Sequence, residues 1–125
     1  MDGDPIKVDD SILMSVKKLL GMDPEEFDQY DADIMLHINT VIETLNQIGV
    51  DMPEGFYVSD KTALWSDYLN KSKYSEIKGS IKSYIFMKVR LIFDPPTNQS
   101  VINATNETIK ELEWRIKRWV EFYDK

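Results

Sequence analysis

The segment from Lys88 to Pro96 joins an apolar run to two consecutive prolines, and it constrains the fold more than any other part of the chain. Pro95 disfavours helical geometry at Asp94, and neither proline has a backbone N–H to donate. The residues from Asn98 to Tyr123 then show a helical pattern again. The sequence therefore predicts that two helices meet at a short, stiff corner formed by residues 94–96. This corner has no nucleophile, base or metal-ligand spacing, which is typical of a structural element.

Apolar residues recur at helical spacing in four parts of the chain, with turn-forming residues between them. The predicted helices cover residues 11–20, 32–48, 74–93 and 98–123. Gly21 and Gly49 are the expected stops of the first two helices, and Asp31 is the expected N-cap of the second. A heptad pattern predicts the buried face of the last helix, comprising Ile102, Thr105, Ile109, Leu112, Ile116, Trp119 and Tyr123.

The residues between the second and third helices break the helical pattern, and Pro53 and Gly55 mark a turn there. Because residues 56–58 and 62–65 flank a three-residue turn, a short β-hairpin or irregular insert is expected near 56–65. A short helix over residues 62–69 is the alternative. The predicted fold class is therefore mainly α, a small bundle of about four helices carrying this insert.

The length of 125 residues predicts one domain. We expect a flexible acidic leader over residues 1–10 and a single helical domain over residues 11–125. The leader is acidic and interrupted by proline, so it does not resemble a signal peptide. No apolar run approaches 18 residues, so no membrane-spanning helix is predicted. We therefore expect an intracellular protein that has no membrane partner.

The net charge of −7 is unevenly distributed along the chain. Residues 1–60 carry a net charge of −11, whereas residues 61–125 carry +4. An acidic chain is a poor candidate for binding nucleic acid through its phosphates, so no sequence-specific nucleic-acid partner is expected. Two halves of opposite sign can attract each other within one molecule or between neighbouring copies. The alternative is that these charges only cover solvated faces.

The residue types needed for most catalytic and metal sites are scarce. The chain has no cysteine, and His37 is its only histidine. No phosphate-binding loop or nucleophile elbow is present. The acidic residues between Asp23 and Asp33 could attract a cation, but they lack the spacing and the turn glycine of a calcium loop. We therefore predict no catalytic, cofactor-binding or metal-binding residues, and no enzymatic activity.

Candidate interface residues lie on the third and last helices and at the corner between them. Lys78 and Lys82 are four residues apart, so they share one helix face, offset from the apolar stripe. Trp114 and Phe122 lie outside the heptad stripe of the last helix, which suggests that a second face is covered. A partner subunit or the first helix could cover it. The predicted oligomer interface consists of Lys78, Lys82, Asp94, Pro95, Pro96 and Trp114.

Five segments, taken in order, resemble one known family. They are Ser15–Gly21, Asp31–Asn39, Thr62–Asp67, Lys88–Pro96 and Glu111–Arg115. On these segments the chain resembles the small head–tail connector (head-completion adaptor) proteins of long-tailed bacteriophages and prophages of Gram-positive bacteria. The resemblance covers most of residues 11–116, and its ordered set is more specific than any single segment.

The resemblance implies a non-enzymatic structural protein of the phage neck. Such proteins assemble into a homo-oligomeric ring beneath the portal, extend the DNA channel and dock the next neck or tail component. The implied partners are further copies of the chain, the portal protein and downstream neck or tail proteins. DNA passes through the ring at most. The implied locations are the virion neck and, during assembly, the host cytoplasm.

Two other functions are compatible with the residues themselves. The chain could be a small soluble helical module that binds one protein partner through its last helix. It could also be a metal-dependent enzyme that uses the acidic residues before the second helix. Capsid and portal genes beside this one would favour the connector, and a metal titration would test the enzyme.

Overall fold

The computed structural model describes residues 5–123, so the part of the predicted leader at residues 1–4 lies outside the described residues. Within residues 5–123 the elements are α1 (Ile12–Leu19), α2 (Asp31–Gln47), α3 (Trp65–Tyr68), a 3-10 helix (Ser72–Glu76), α4 (Lys78–Phe93) and α5 (Gln99–Tyr123). The prediction of a mainly helical fold is confirmed.

The first helix begins and ends where the sequence indicated. Ser11 is the N-cap of α1, because its Oγ accepts a hydrogen bond of 3.2 Å from the Met14 backbone N–H. Gly21 follows the helix with a φ of +83°, a left-handed conformation that favours glycine. Leu19, an apolar residue in the last turn of α1, is 58% exposed and does not join the core.

The prediction that Asp31 caps the second helix is wrong. Asp31 is the first residue of α2, and its N-cap is Tyr30, which makes no side-chain capping bond. The Asp31 carboxylate instead points into the protein, where Lys17 Nζ of α1 lies 2.9 Å from its Oδ1. A buried carboxylate without a partner is very costly, so pairing with Lys17 takes precedence over capping.

The insert between α2 and α3 is irregular, and the β-hairpin alternative is wrong. The two expected hairpin strands find partners elsewhere. Val58 exchanges two hydrogen bonds of 2.9 Å with the side-chain amide of Asn39 on α2. Leu64 forms an isolated antiparallel bridge with Ser11. Because these partners already satisfy the backbone groups, the two segments do not pair with each other.

The third predicted helix begins four residues later than expected. Residues 72–76 form a 3-10 helix, and α4 starts at Lys78. Tyr74 is nevertheless buried, and its hydroxyl accepts a 2.9 Å hydrogen bond from the Asp51 backbone N–H. Gly79 lies in the first turn of α4, and a Cβ there would meet nothing within 4 Å. This glycine therefore does not mark a close helix contact among the described residues.

The core is organised around α4, which packs against both α2 and α5. The heptad register of α5 is confirmed from Ile109 to Trp119, whose stripe residues are buried. Before Ile109, no side chain between residues 99 and 108 is buried. At the far end, α5 approaches the end of α2 so closely that a Cβ on Gly49 would lie 2.5 Å from Val120 Cγ1. Gly49 has a φ of +113° and ends α2 as predicted.

Candidate interaction surfaces

The corner between α4 and α5 is rigid and exposed. The Asp94 N–H donates to the Arg90 carbonyl at 2.9 Å, which closes α4. Asn98 then caps α5, because its Oδ1 accepts a hydrogen bond of 2.8 Å from the Ser100 backbone N–H. Asp94 and Pro95 are exposed and Pro96 is half-buried. The corner is therefore available to another protein and has a fixed shape.

Lys78 and Lys82 lie near the start of α4, but they differ in environment. Lys78 is exposed, whereas Lys82 is half-buried with its Nζ 5.1 Å from the centre of the Trp65 ring. Burial is the main cause that lowers the pKa of Lys82, and repulsion from Lys78 adds to it. The ring already engages Lys82 through a cation–π contact. Of the two lysines, Lys78 alone is exposed, and the interface role of both stays a prediction.

A groove separates α1 from α4, and we call it the α1–α4 groove. Its volume is about 540 Å³. Apolar parts of Val16, Trp65, Phe86 and Met87 line it, and the exposed Leu19 stands at its edge. Three charged residues at its edge are Asp9, Lys18 and Lys82. The groove thus combines an apolar lining with more positive than negative side chains.

The segment between α1 and α2 presents an apolar side chain among carboxylates. We call residues 23–30 the acidic loop. Phe27 is 78% exposed, and its neighbours Glu25 and Glu26 are exposed as well. The loop is tied down at two points. Lys17 Nζ donates a hydrogen bond to the Glu26 carbonyl, and the Tyr30 ring meets Phe93 edge-on with centroids 5.7 Å apart.

The α1–α4 groove and the acidic loop lie on opposite flanks of α1. Ser15 and Leu19 line the groove, whereas Lys17 is bonded to the loop. Each residue advances about 100° around an α-helix, so Lys17 lies about 160° from both of those residues. One copy of the chain therefore presents the groove on one side and the loop on the other.

The outer face of α5 carries an aromatic ladder, formed by Trp114, Arg118 and Phe122 at spacings of four residues. Trp114 is 61% exposed and Phe122 is 67% exposed. The Arg118 guanidinium carbon lies 5.3 Å from the centre of the Trp114 ring and 4.9 Å from that of Phe122. The first helix does not cover Trp114, which leaves the aromatic ladder on the surface.

A hydrogen bond fixes the opposite face of α5 against α4. The Tyr84 hydroxyl donates to Glu113 Oε2 at 2.8 Å. Burial, followed by this bond to Glu113, raises the pKa of Tyr84. The same bond lowers the pKa of Glu113, with help from Lys117 and Lys88. Around the helix, Trp114 lies about 100° and Phe122 about 180° from Glu113, so this contact leaves the aromatic ladder facing away from α4.

The predicted interface residues do not form one site. Lys78 and Lys82 lie at the start of α4, and residues 94–96 lie beyond its other end, about 24 Å away along the helix axis. Trp114 is on the outer face of α5. They mark three separate surfaces on one subunit.

Sequence analysis missed Phe27, Leu19 and Arg118 as surface residues. Arg118 had a signal, because it lies four residues from both Trp114 and Phe122. Phe27 had one too, as a large apolar residue surrounded by acidic ones. The groove had none, because it depends on how α1 packs beside α4.

Residues 5–123 contain neither a cluster of metal-ligating side chains nor a membrane-spanning helix. This part of the chain has no group of three or more histidine, cysteine, aspartate or glutamate side chains that could hold a metal ion. Its helices are each too short or too polar to cross a membrane.

Comparison with known proteins settles the family. The family model described as phage connector protein matches residues 12–121, which includes α1 to α4, the corner and all but the last two residues of α5. The chain belongs to this family. The resemblance to head–tail connectors is thereby confirmed, while the link to phages of Gram-positive bacteria stays a prediction. No curated protein and no solved structure shows a significant match.

Family membership places the connector among structural proteins of the phage neck, which interact with other head and tail proteins. The exposed corner and the aromatic ladder suit such a protein, because both leave side chains open to contact with another protein. The prediction that the connector is not an enzyme agrees with a structural family.

Proposed function

We propose that this connector is a neck adaptor that assembles as a homo-oligomeric ring beneath the portal. The ring extends the DNA channel and docks the next neck or tail component. It forms in the host cytoplasm during assembly and remains in the virion neck.

The observation that carries this proposal is the number of large apolar side chains left on separate surfaces. Apolar side chains exposed singly are common, whereas contiguous apolar patches mark protein contacts, and Trp114 and Phe122, joined through Arg118, form such a patch. The connector exposes such residues on α1, the acidic loop, α2, the insert, α4 and α5. They are Leu19, Phe27, Tyr30, Leu36, Tyr57, Ile92, Val101, Trp114, Phe122 and Tyr123. A ring subunit needs several surfaces of this kind, because it contacts two neighbours and the components above and below.

The predicted interface residues take part in this scheme on different surfaces. The corner at residues 94–96 and the aromatic ladder on α5 supply apolar and aromatic contact area. Lys78 and Lys82 supply orientation, because exposed ion pairs contribute only about 0–1 kcal/mol each. Binding strength therefore comes from the apolar surfaces.

The charge of the connector suits a channel through which DNA slides. A protein with a net charge of −7 does not neutralise phosphates over a large surface. A ring built from such subunits offers DNA a wall without strong attachment points. DNA therefore passes through the ring and is not a specific ligand of it.

The mass of the purified connector, alone and mixed with its portal protein, tests the proposal. Native mass spectrometry is expected to show a multimer of connector chains on the portal ring. Lys78→Glu is expected to weaken this assembly, whereas Lys110→Glu, a reversal on exposed α5, serves as the matched control. The proposal is contradicted if the connector still has the mass of a monomer after mixing and no connector–portal complex is detected.

The second candidate function is a module that binds a single protein partner through α5. The aromatic ladder favours it, because Trp and Arg are enriched among residues that dominate binding energy. The two functions differ in self-association. A module binds its partner as one chain, while a ring subunit accumulates several copies in the complex.

A further inference from the structure

We propose that the α1–α4 groove of one connector receives the acidic loop of a second copy, with Phe27 as the apolar anchor. This inference rests on the proposed ring and names the contact between its neighbouring subunits. The contact predicted from the sequence named only Lys78 and Lys82, whereas this one specifies the groove, the anchor residue and the partner segment.

The groove has the size and lining for such an anchor. Protein pockets that enclose small ligands measure roughly 300–1,000 Å³, and this groove measures about 540 Å³. One phenyl ring with parts of the neighbouring residues fits that space. The half-buried ring of Phe86 and the thioether of Met87 are favourable partners for a phenyl ring, while Trp65, only 4% exposed, lines the groove beneath the ammonium group of Lys82. Burying Phe27 there removes from water a side chain that is 78% exposed in the single subunit.

The charges of the two surfaces are complementary. Lys82 stands at the groove with Lys78 one turn before it on α4, while Glu25 and Glu26 flank Phe27 on the loop. Lys18 already has a carboxylate partner, since its Nζ lies 3.5 Å from Asp9 Oδ1. Asp10 and Asp9 already attract Lys82, but burial and repulsion from Lys78 outweigh them and lower its pKa, and an incoming carboxylate would offset that remainder. The groove therefore favours an acidic segment over a basic one.

The positions of the two surfaces favour a ring over a two-fold dimer. The groove and the loop lie on opposite flanks of α1, so one subunit can use both at once. A contact between two unlike surfaces is head-to-tail, and it closes into a ring when the rotation between subunits allows it. A second copy is for this reason a better occupant than an unrelated acidic protein.

Disulfide mapping tests this contact directly, because the connector has no cysteine of its own. Gln29→Cys places a thiol on the exposed acidic loop while keeping Phe27, and Ser83→Cys places one at the groove. The two variants are mixed and oxidised, both free and assembled on the portal. Asn106→Cys, an exposed position on α5, replaces Ser83→Cys in the control mixture.

We expect several-fold more disulfide dimer between the Gln29→Cys and Ser83→Cys chains than between the Gln29→Cys and Asn106→Cys chains. Adding Phe27→Ala to the Gln29→Cys chain should weaken the contact roughly tenfold, as for a central anchor. Adding Tyr57→Ala, which removes another exposed aromatic ring, should leave the yield unchanged. Lys82→Glu should lower the yield, and Glu25→Lys in the partner chain should restore part of it.

Equal yields in the test and control mixtures overturn this inference, as does a yield that Phe27→Ala leaves unchanged. The ring itself is judged separately, by the mass of the portal complex. If rings form on the portal but the Gln29→Cys and Ser83→Cys chains do not form a disulfide dimer, this contact is wrong and the proposed function stands. If neither rings nor dimers form, both fail.

Discussion

Lys17 and Asp31 form an ion pair that links α1 to the start of α2, with 2.9 Å between Nζ and Oδ1 and side-chain exposures of 1% and 2%. Lys17 also donates to the Glu26 carbonyl, so the same ammonium group holds the acidic loop. A buried ion pair contributes little net stability, but removing one partner leaves an uncompensated charge. The pair therefore matters most for how these three segments are placed relative to one another.

Lys17→Met is expected to lower the free energy of unfolding by about 3–5 kcal/mol, because Asp31 is left buried without a cation. Urea denaturation followed by circular dichroism measures the loss. Asp31→Leu in the same chain removes the stranded charge and should recover part of it. A double variant as unstable as the sum of both single variants would show that the two side chains do not interact.

Gly49→Ala is expected to destabilise the connector more than Gly21→Ala. Both glycines end a helix with positive φ, so alanine causes backbone strain at each, of about 1–2 kcal/mol. Only at Gly49 would the new Cβ also meet Val120 Cγ1, at 2.5 Å. The difference in thermal melting between the two variants measures that clash. Val120→Ala should reduce the difference, and equal losses at the two glycines would contradict the close approach of α2 and α5.

Trp119→Ala is expected to cost about 3–5 kcal/mol of stability, as other large-to-small core changes do. Trp119 is buried and packs against Tyr74, with ring centroids 5.5 Å apart and the ring planes tilted by 38°. Trp114→Ala, five residues earlier on the exposed face, is the control and should change stability by no more than about 0.5 kcal/mol. Among the folded molecules, Trp114→Ala should impair assembly more than Trp119→Ala does. Similar melting temperatures for the two variants would contradict the assignment of the buried face of α5.

Acidification is expected to weaken the contact between α4 and α5 through Glu113. The Tyr84 hydroxyl lowers the pKa of Glu113 below its usual value, so the folded state binds this proton less readily than the unfolded state. The resulting stability is fully present above the unfolded pKa near 4.5 and is lost as the pH falls through the lower folded pKa. Urea unfolding between about pH 6 and pH 3 should therefore show a smaller acid-induced loss for Glu113→Gln than for the parent. Tyr84→Phe should reduce the loss as well, and parallel pH profiles for all three proteins would contradict the assignment.

The sequence predicted those parts of the fold that depend on local patterns. Gly21 and Gly49 ended their helices as expected, because positive φ after a helix requires little beyond a glycine. The heptad stripe located the buried face from Ile109 to Trp119, since burial on one side leaves a periodic pattern. The start of α5 at Gln99 followed from the prolines before it. In each case the information lay within a few residues of the feature.

The parts that sequence analysis missed depend on residues far apart in the chain. The local sequence around Asp31 predicted an N-cap, but its carboxylate is bonded to Lys17, which lies fourteen residues earlier in the chain. The α1–α4 groove needs the relative placement of two helices, which no local pattern carries. The predicted interface residues were separate surface features, and only the structure shows that they occupy three different sides of a subunit.

The amide of Asn39 serves residue 58 as a neighbouring strand would, offering one acceptor and one donor to a single backbone position. The insert is thus attached near its middle by this amide, and beyond it by Phe56, which stacks on Tyr68, and by the Lys61 carbonyl, which accepts a hydrogen bond from Ser11. Loop length between these anchors is therefore free to vary without moving α2. Asn39→Asp, which exchanges one donor for a charge, would instead release residue 58 while the other anchors hold. Related connectors are expected to differ most in length at 52–55 and 59–60, while keeping an amide at position 39.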